Sequence, residues 1–152
     1  MRFFILYMIV SKLFFYAEPN HDENVVMTNE MKAIAACESG NRVDINSHDW
    51  EAVNVNENGT TDTGAFQFNS YWVWNSSNTW LMRHVIKDLG MDTRSFFKEY
   101  PTARHAPPSI QIATFKYLWN DGHGWENWKA SQSCWSQWLI ITEEGRAVWQ
   151  GN

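Results

Sequence analysis

The sequence predicts an α+β fold, mostly helical with one small antiparallel β-hairpin, on three observations. Apolar residues recur at helical spacing in several separate stretches. One stretch, residues 52–68, instead alternates apolar and polar around an Asn-Gly pair. No internal repeat, low-complexity tract or second apolar block interrupts the 152 residues, so a single packed unit is expected.

The first helix is expected from Thr28 or Asn29 to about Ser39. A Ser/Thr/Asn side chain satisfies the free N–H groups at a helix start, and Glu30 suits the positive end of the helix dipole. Gly40 supplies a left-handed stop. Met31, Ile34 and Ala35 form its inward stripe, and the next step of that stripe is Glu38. A carboxyl group is thus expected on the buried face. The hairpin follows, with strands at Ala52-Val-Asn-Val-Asn56 and Gly64-Ala-Phe-Gln-Phe68 and a type I′ turn at Asn58-Gly59.

Helix returns at Leu81, Met82, Val85, Ile86 and Leu89, closed by Gly90. A short helix at Thr93–Tyr100 ends before Pro101, and Pro107-Pro108 opens another carrying Ile112, Phe115 and Trp119 on one face. A loop from Asn120 to Gly124 precedes a last helical stretch, expected over about Ser136 to Trp149.

The termini and the cysteines bear on the compartment. Met1-Arg2 leads into an apolar run, residues 3–10, too short to span a bilayer but matching the length of a signal core. Lys12 interrupts the run and Phe15-Tyr16-Ala17 suits a cleavage site poorly, so a signal peptide, a retained anchor and an N-terminal core element are all open. Residues 18–24 read as a polar linker. The division expected is therefore 1–24, leader or anchor plus linker, and 25–152, the folded domain. Cys37 and Cys134 are either two buried thiols or one disulfide, which requires an oxidising compartment and adds roughly 4–5 kcal/mol on the loop-entropy model.

The formal net charge of -5 excludes a phosphate-neutralising nucleic-acid surface. It also gives no long-range attraction to an anionic cell wall, so recognition there would rest on local contacts. Five histidines (21, 48, 84, 105 and 123) lack metal-binding spacing, and no glycine-rich phosphate loop is present, so neither metal nor cofactor is expected. Ten Trp, nine Phe and five Tyr serve either a core or the stacking of flat ligands.

The candidate chemistry lies in two carboxyl groups. Burial disfavours the ionised form of Glu38 and suits it to donate a proton. Asp62 lies in a polar turn-rich stretch, Gly59-Thr-Thr-Asp-Thr-Gly64, where it either bonds local amides or faces Glu38 across a cleft. Two carboxyls in unlike surroundings are what glycoside hydrolysis uses.

Thr61-Asp-Thr-Gly-Ala-Phe-Gln-Phe-Asn-Ser-Tyr-Trp72 resembles the T-D-x-G-x-x-Q-x-N-S hairpin motif of animal-type lysozymes. Asp121-Gly-His-Gly-Trp-Glu-Asn-Trp128, followed by Cys134, is similar to that family's D-G-x-G…W…C segment. Ala36-Cys-Glu-Ser-Gly40, Gly64-Ala-Phe-Gln-Phe68 and a late cysteine resemble the resuscitation-promoting-factor domain. Together the motifs span about residues 30 to 135. The resemblance implies a lysozyme-like fold with Glu38 as general acid and Asp62 as nucleophile or stabiliser of the oxocarbenium-like sugar. It implies that Gln67 and Asn69 line the cleft, that Trp72 and Trp128 contact saccharide rings, and that Asp121 makes a polar sugar contact at the far end. It also implies a Cys37–Cys134 bond.

The function implied is cleavage of the β-1,4 bond between N-acetylmuramic acid and N-acetylglucosamine in bacterial peptidoglycan. The chain would act as a monomer that is secreted, extracytoplasmic or virion-associated. Lytic transglycosylation and non-catalytic saccharide binding are the alternatives. The chain departs from animal-type lysozymes in allowing one disulfide at most and in a longer Glu38–Asp62 connection, with extra residues around 48–55. Residues 71–100 match neither family.

Overall fold

The computed structural model describes residues 25–77 and 80–151; the leader or anchor expected at 1–24 lies outside them. Among the described residues the fold is α+β, with five α-helices and two small antiparallel sheets.

Helix α1 (Asn29–Glu38) runs through the centre. Thr28 caps it, its Oγ1 accepting from the Met31 amide at 3.3 Å. Burial exceeds the single stripe expected: Met31 and every residue from Ala33 to Cys37 are buried. Four of these are small (three alanines and a cysteine), which lets neighbouring elements close on several faces at once. Glu38, in the last turn, is half-buried.

Gly40 does not take the left-handed stop expected of it. Ser39 caps the helix at φ −128°, and the left-handed residue is Arg42 at φ +66°. Gly40 is required for a different reason: a Cβ there would lie 2.0 Å from the Ser47 carbonyl oxygen. The loop from 40 to 50 packs against the helix end at backbone distance.

The first sheet holds β1 (Val53–Val55), β2 (Thr61–Thr63) and β3 (Phe68–Asn69) in sequential order. The second strand thus lies earlier than the 64–68 expected from alternation. Asn54 pairs with Asp62, and Asp62 with Asn69. Val53 and Val55 are 47% and 71% exposed, so the alternation marked a strand without marking a core face. The turn also differs from type I′, since of Asn58 and Gly59 only Gly59 has positive φ. The Gly59 amide donates to the Asn56 carbonyl and the Asn56 amide to Thr60, which is a three-residue loop with glycine in the left-handed position.

Helices α2 (Arg83–Asp88), α3 (Thr93–Glu99) and α4 (Pro108–Trp119) fall where the apolar spacing placed them. Phe115 on α4 is the centre of an aromatic group, with ring centroids 4.5 Å from Phe66, 5.2 Å from Trp119 and 4.7 Å from Trp128. Fully buried Gln111 on the same helix ties three segments together. Its Oε1 accepts from the Ala65 amide at 2.9 Å, and its Nε2 donates to the Trp50 and Ala106 carbonyls at 3.0 Å each.

The expected helix at 136–149 is absent. A single helical turn, α5 (Gln132–Trp135), leads into a hairpin of β4 (Leu139–Ile141) and β5 (Ala147–Trp149). The Thr142–Arg146 loop repeats the hydrogen-bond pattern of Asn56–Thr60, with Gly145 at φ +74°. Cys37 and Cys134 form a disulfide joining the end of α1 to α5, Cα to Cα 5.8 Å.

Candidate active site

Glu38 and Asp62 meet where two lobes of one cleft join. Both lobes are lined by Glu38, Asp62, Gln67 and Ala130. The first, about 500 Å³, is polar and adds Arg42, Asn54, Ser131 and Ser133. The second, about 390 Å³, is more apolar and adds Phe68, Asn69, Trp72, Val73 and Trp128.

The two carboxyl groups occupy unlike surroundings. Burial raises the pKa of Glu38 above its ordinary 4.5 because the ionised form loses water. A hydrogen bond donated by Ser131 Oγ to Glu38 Oε1 opposes this, the nearby Asp62 charge adds to it, and Arg42 opposes it again. Asp62 sits instead between two amides. Its Oδ2 accepts from Asn56 Nδ2 at 2.9 Å and its Oδ1 from Asn69 Nδ2 at 2.7 Å. Two side-chain N–H donors thus converge on its two oxygens. One carboxyl is thereby inclined to keep its proton while its neighbour is solvated by fixed amides.

The fold supplies these positions from separate elements. Asn69 Oδ1 accepts from the Tyr71 and Trp72 amides, so the residue that holds Asp62 also fixes the turn carrying Trp72. The Trp72 ring is 63% exposed on the cleft. Trp128 lines the cleft from a buried position, its indole N–H donating to the Phe66 carbonyl at 3.0 Å. Gln67 takes φ +51°, and its Nε2 donates to the Gly64 carbonyl at 2.9 Å. Ser39 Oγ donates to the Ala65 carbonyl at 2.9 Å and accepts from the Asp49 amide at 3.0 Å, joining the Glu38 turn to both flanking loops. The Cys37–Cys134 bond fixes the same turn to the segment bearing Ser131.

Of the residues named from the sequence, Glu38, Asp62, Gln67, Asn69, Trp72 and Trp128 come together. Asp121 does not join them. It is 81% exposed in a separate depression with Thr28 and Glu30, paired with Arg146 at 2.8 Å. The glycines of its motif serve packing: a Cβ on Gly122 would meet the Ala147 carbonyl oxygen at 2.6 Å, and one on Gly124 the Leu118 carbonyl oxygen at 1.8 Å. Trp74 is core, donating to the Tyr100 carbonyl, and Trp125 donates to Gly145.

The sequence reading missed Ser131, Asn56 and Arg42. Asn56 was within reach once the hairpin register is known, whereas no local pattern marks Ser131 or Arg42. Among the described residues no group of three or more His, Cys, Asp or Glu side chains is placed to hold a metal, and no helix is long and apolar enough to cross a membrane. No family model, curated protein or solved structure matches the chain.

Proposed function

We propose that this chain is a lysozyme-like glycosidase that cleaves peptidoglycan glycan strands at the N-acetylmuramic acid–N-acetylglucosamine β-1,4 bond. The observation that carries the reading is the pairing, in one cleft, of a half-buried carboxyl with raised pKa and a carboxyl held by two asparagine amides. That division of labour is the one glycoside hydrolysis needs; lysozyme is itself the reference case for the pKa effect. Glu38 protonates the bridging oxygen as the bond breaks. Asp62 stabilises or captures the positive charge developing on the sugar. Glu38, now ionised, takes a proton from water as the sugar is released. Trp72 offers an indole face to a pyranose ring, and Gln67 offers an amide to a hydroxyl.

The disulfide beside Glu38 favours lytic transglycosylation as a second reading, because it matches the Cys-Glu arrangement of the resuscitation-promoting-factor domain. There the muramic acid's own hydroxyl takes the place of water and closes an anhydro ring. The disulfide also supports residence in an oxidising, extracytoplasmic setting.

Purified protein incubated with peptidoglycan, followed by mass analysis of soluble fragments, tests both readings. Hydrolytic products carry one more water than anhydro products. A Glu38→Gln variant is expected to lose about 100- to 10,000-fold of the activity, the usual contribution of a general acid. Retained turnover in that variant would overturn the proposal.

A further inference from the structure

Arg42 is the one cation lining either lobe among the described residues, in a cleft whose other charges are Glu38 and Asp62. It has no ion-pair partner there; the salt bridge among the described residues is Arg146–Asp121. Its backbone is held at φ +66°, a region that costs a residue bearing a Cβ roughly 1–2 kcal/mol and that glycine enters freely. Asparagine and aspartate tolerate it through short local hydrogen bonds, which arginine's long side chain does not make. The backbone is pinned on both sides. The Arg42 amide donates to the Ala36 carbonyl at 3.1 Å, and its carbonyl accepts from Gln137 Nε2 at 2.9 Å. Arg42 is meanwhile an exposed residue that lines the polar lobe. Its charge also opposes the raised pKa of Glu38, so it works against the proton donor. The two backbone bonds account for the left-handed angle by closing the end of α1. They leave the charge of the side chain unexplained, and a lone cation lining a cleft points to use by a ligand of opposite charge.

We infer that Arg42 is a specificity-determining residue that docks a carboxylate carried by the glycan in the polar lobe, next to the bond that is cut. The inference rests on the glycosidase reading and deepens it: one lobe selects an acidic sugar, and the more apolar lobe with Trp72 takes a neutral one. A guanidinium meets a carboxylate through two parallel N–H bonds, which a neutral acetamido sugar cannot offer. The carboxylate has two sources, the lactyl group of an unsubstituted muramic acid or an acidic residue of its stem peptide.

Three substrates separate these sources: strands bearing stem peptides, peptide-free strands with free lactyl acids, and peptide-free strands whose lactyl acids are converted to methylamides. Turnover is followed in the parent, and affinity in Glu38→Gln with and without Arg42→Gln. The Glu38→Gln protein is expected to bind one of the two acidic strands about tenfold more tightly than the methylamide strand, as a charged hydrogen bond gives. Adding Arg42→Gln removes that preference and leaves methylamide binding within about twofold. Arg42→Gly gives the same loss without lowering Tm, because glycine accepts the backbone angle, so misfolding is not its source. Equal binding of all three strands, or an equal loss on all three in the Arg42 variants, overturns the inference even where turnover proceeds. Absence of turnover in the parent overturns the glycosidase reading instead.

Discussion

Ser131 donates a hydrogen bond to the Glu38 carboxylate across 93 positions of sequence, and the Cys37–Cys134 bond holds the two segments beside each other. The hydroxyl favours the ionised form of Glu38 and so restrains the effect of burial. Ser131→Ala removes that restraint. The Glu38 pKa then rises further, the proton is held to higher pH, and the alkaline limb of the pH–rate profile moves upward. An unmoved or lowered alkaline limb contradicts this role. A merely structural serine would reduce rates without displacing the limb.

Glu38 also ties stability to pH. Its folded pKa lies above the ordinary 4.5, so the folded state binds more protons than the unfolded state in the interval between the two. Its stabilising contribution is complete below about pH 4.5 and is lost as pH climbs through the folded value. Glu38→Gln cannot ionise and escapes that loss. Its Tm is expected to exceed the parent's at neutral pH, with the difference shrinking as the pH falls from the folded value toward 4.5 and levelling off below it. A difference constant from pH 3 to 8 would show that desolvation of the carboxylate is not the cause.

Asn56 holds Asp62 without being tied into the Trp72 turn, as Asn69 is. Asn56→Ala takes away one of two amide donors, a charge-assisted bond worth about 1.5–3 kcal/mol. The expected result is a fall in kcat of about tenfold or more with KM little changed. An effect confined to KM would place Asn56 in substrate binding instead.

What was legible in the sequence follows from how local the cause is. The helix cap at Thr28, the apolar spacing of α2 and α4, and the inward step to Glu38 are written within a few residues and appear in the structure. Both hairpins turn on the same loop, in which glycine takes the left-handed place in Asn56–Thr60 and in Thr142–Arg146. Asn-Gly drew attention to the first. Glu-Glu-Gly did not to the second, and the preceding Leu139–Ile141 reads equally well as buried helix. The hairpin strand slipped because Gly64 to Phe68 alternates in sequence while Gly64 and Gln67 take positive φ and break the strand. Ser131 reaches the site only through the chain's folding back on the disulfide, which no window of sequence contains. Arg42 is local to the Glu38 turn but is placed by a left-handed backbone angle that its residue type does not announce. Asp121 stands apart because its neighbours serve a tight turn on β5.

The disulfide closes 97 positions of chain, and its loss relaxes the unfolded state by roughly 4–5 kcal/mol on the loop-entropy model. It also fixes the turn that presents Glu38 to Ser131. The Cys37→Ala/Cys134→Ala double variant is therefore expected to show a Tm lower by roughly 8–20 °C, at about 2–4 °C per kcal/mol for a chain of this size. The loss of activity below that Tm should also exceed what the folded fraction explains. Non-reducing mass spectrometry of the parent should find the two cysteines joined; two free thiols in oxidised material would remove the basis of this expectation.

Gln111 sits farther from the chemistry yet governs its alignment. Its amide group is fully buried and bonds the Ala65 amide, the Trp50 carbonyl and the Ala106 carbonyl, so one side chain sets the loop after β2, the loop before β1 and the start of α4. Gly64 makes room for it: a Cβ at that position would stand 2.3 Å from Gln111 Oε1. Gln111→Leu keeps nearly the same volume and removes every one of these bonds, orphaning the buried Ala65 amide and Ala106 carbonyl and the part-buried Trp50 carbonyl. Each orphaned group costs about 1–3 kcal/mol, so a loss of about 3 kcal/mol or more is expected in urea unfolding. Gln111→Glu separates shape from hydrogen bonding, since a protonated carboxyl can still accept from Ala65 and donate once. It is expected to fall between the parent and the leucine variant at low pH, and to approach the leucine variant as the buried carboxyl is forced to ionise. Equal stability of the parent and Gln111→Leu would mean that the aromatic packing around Phe115 alone holds the hairpin against the helices.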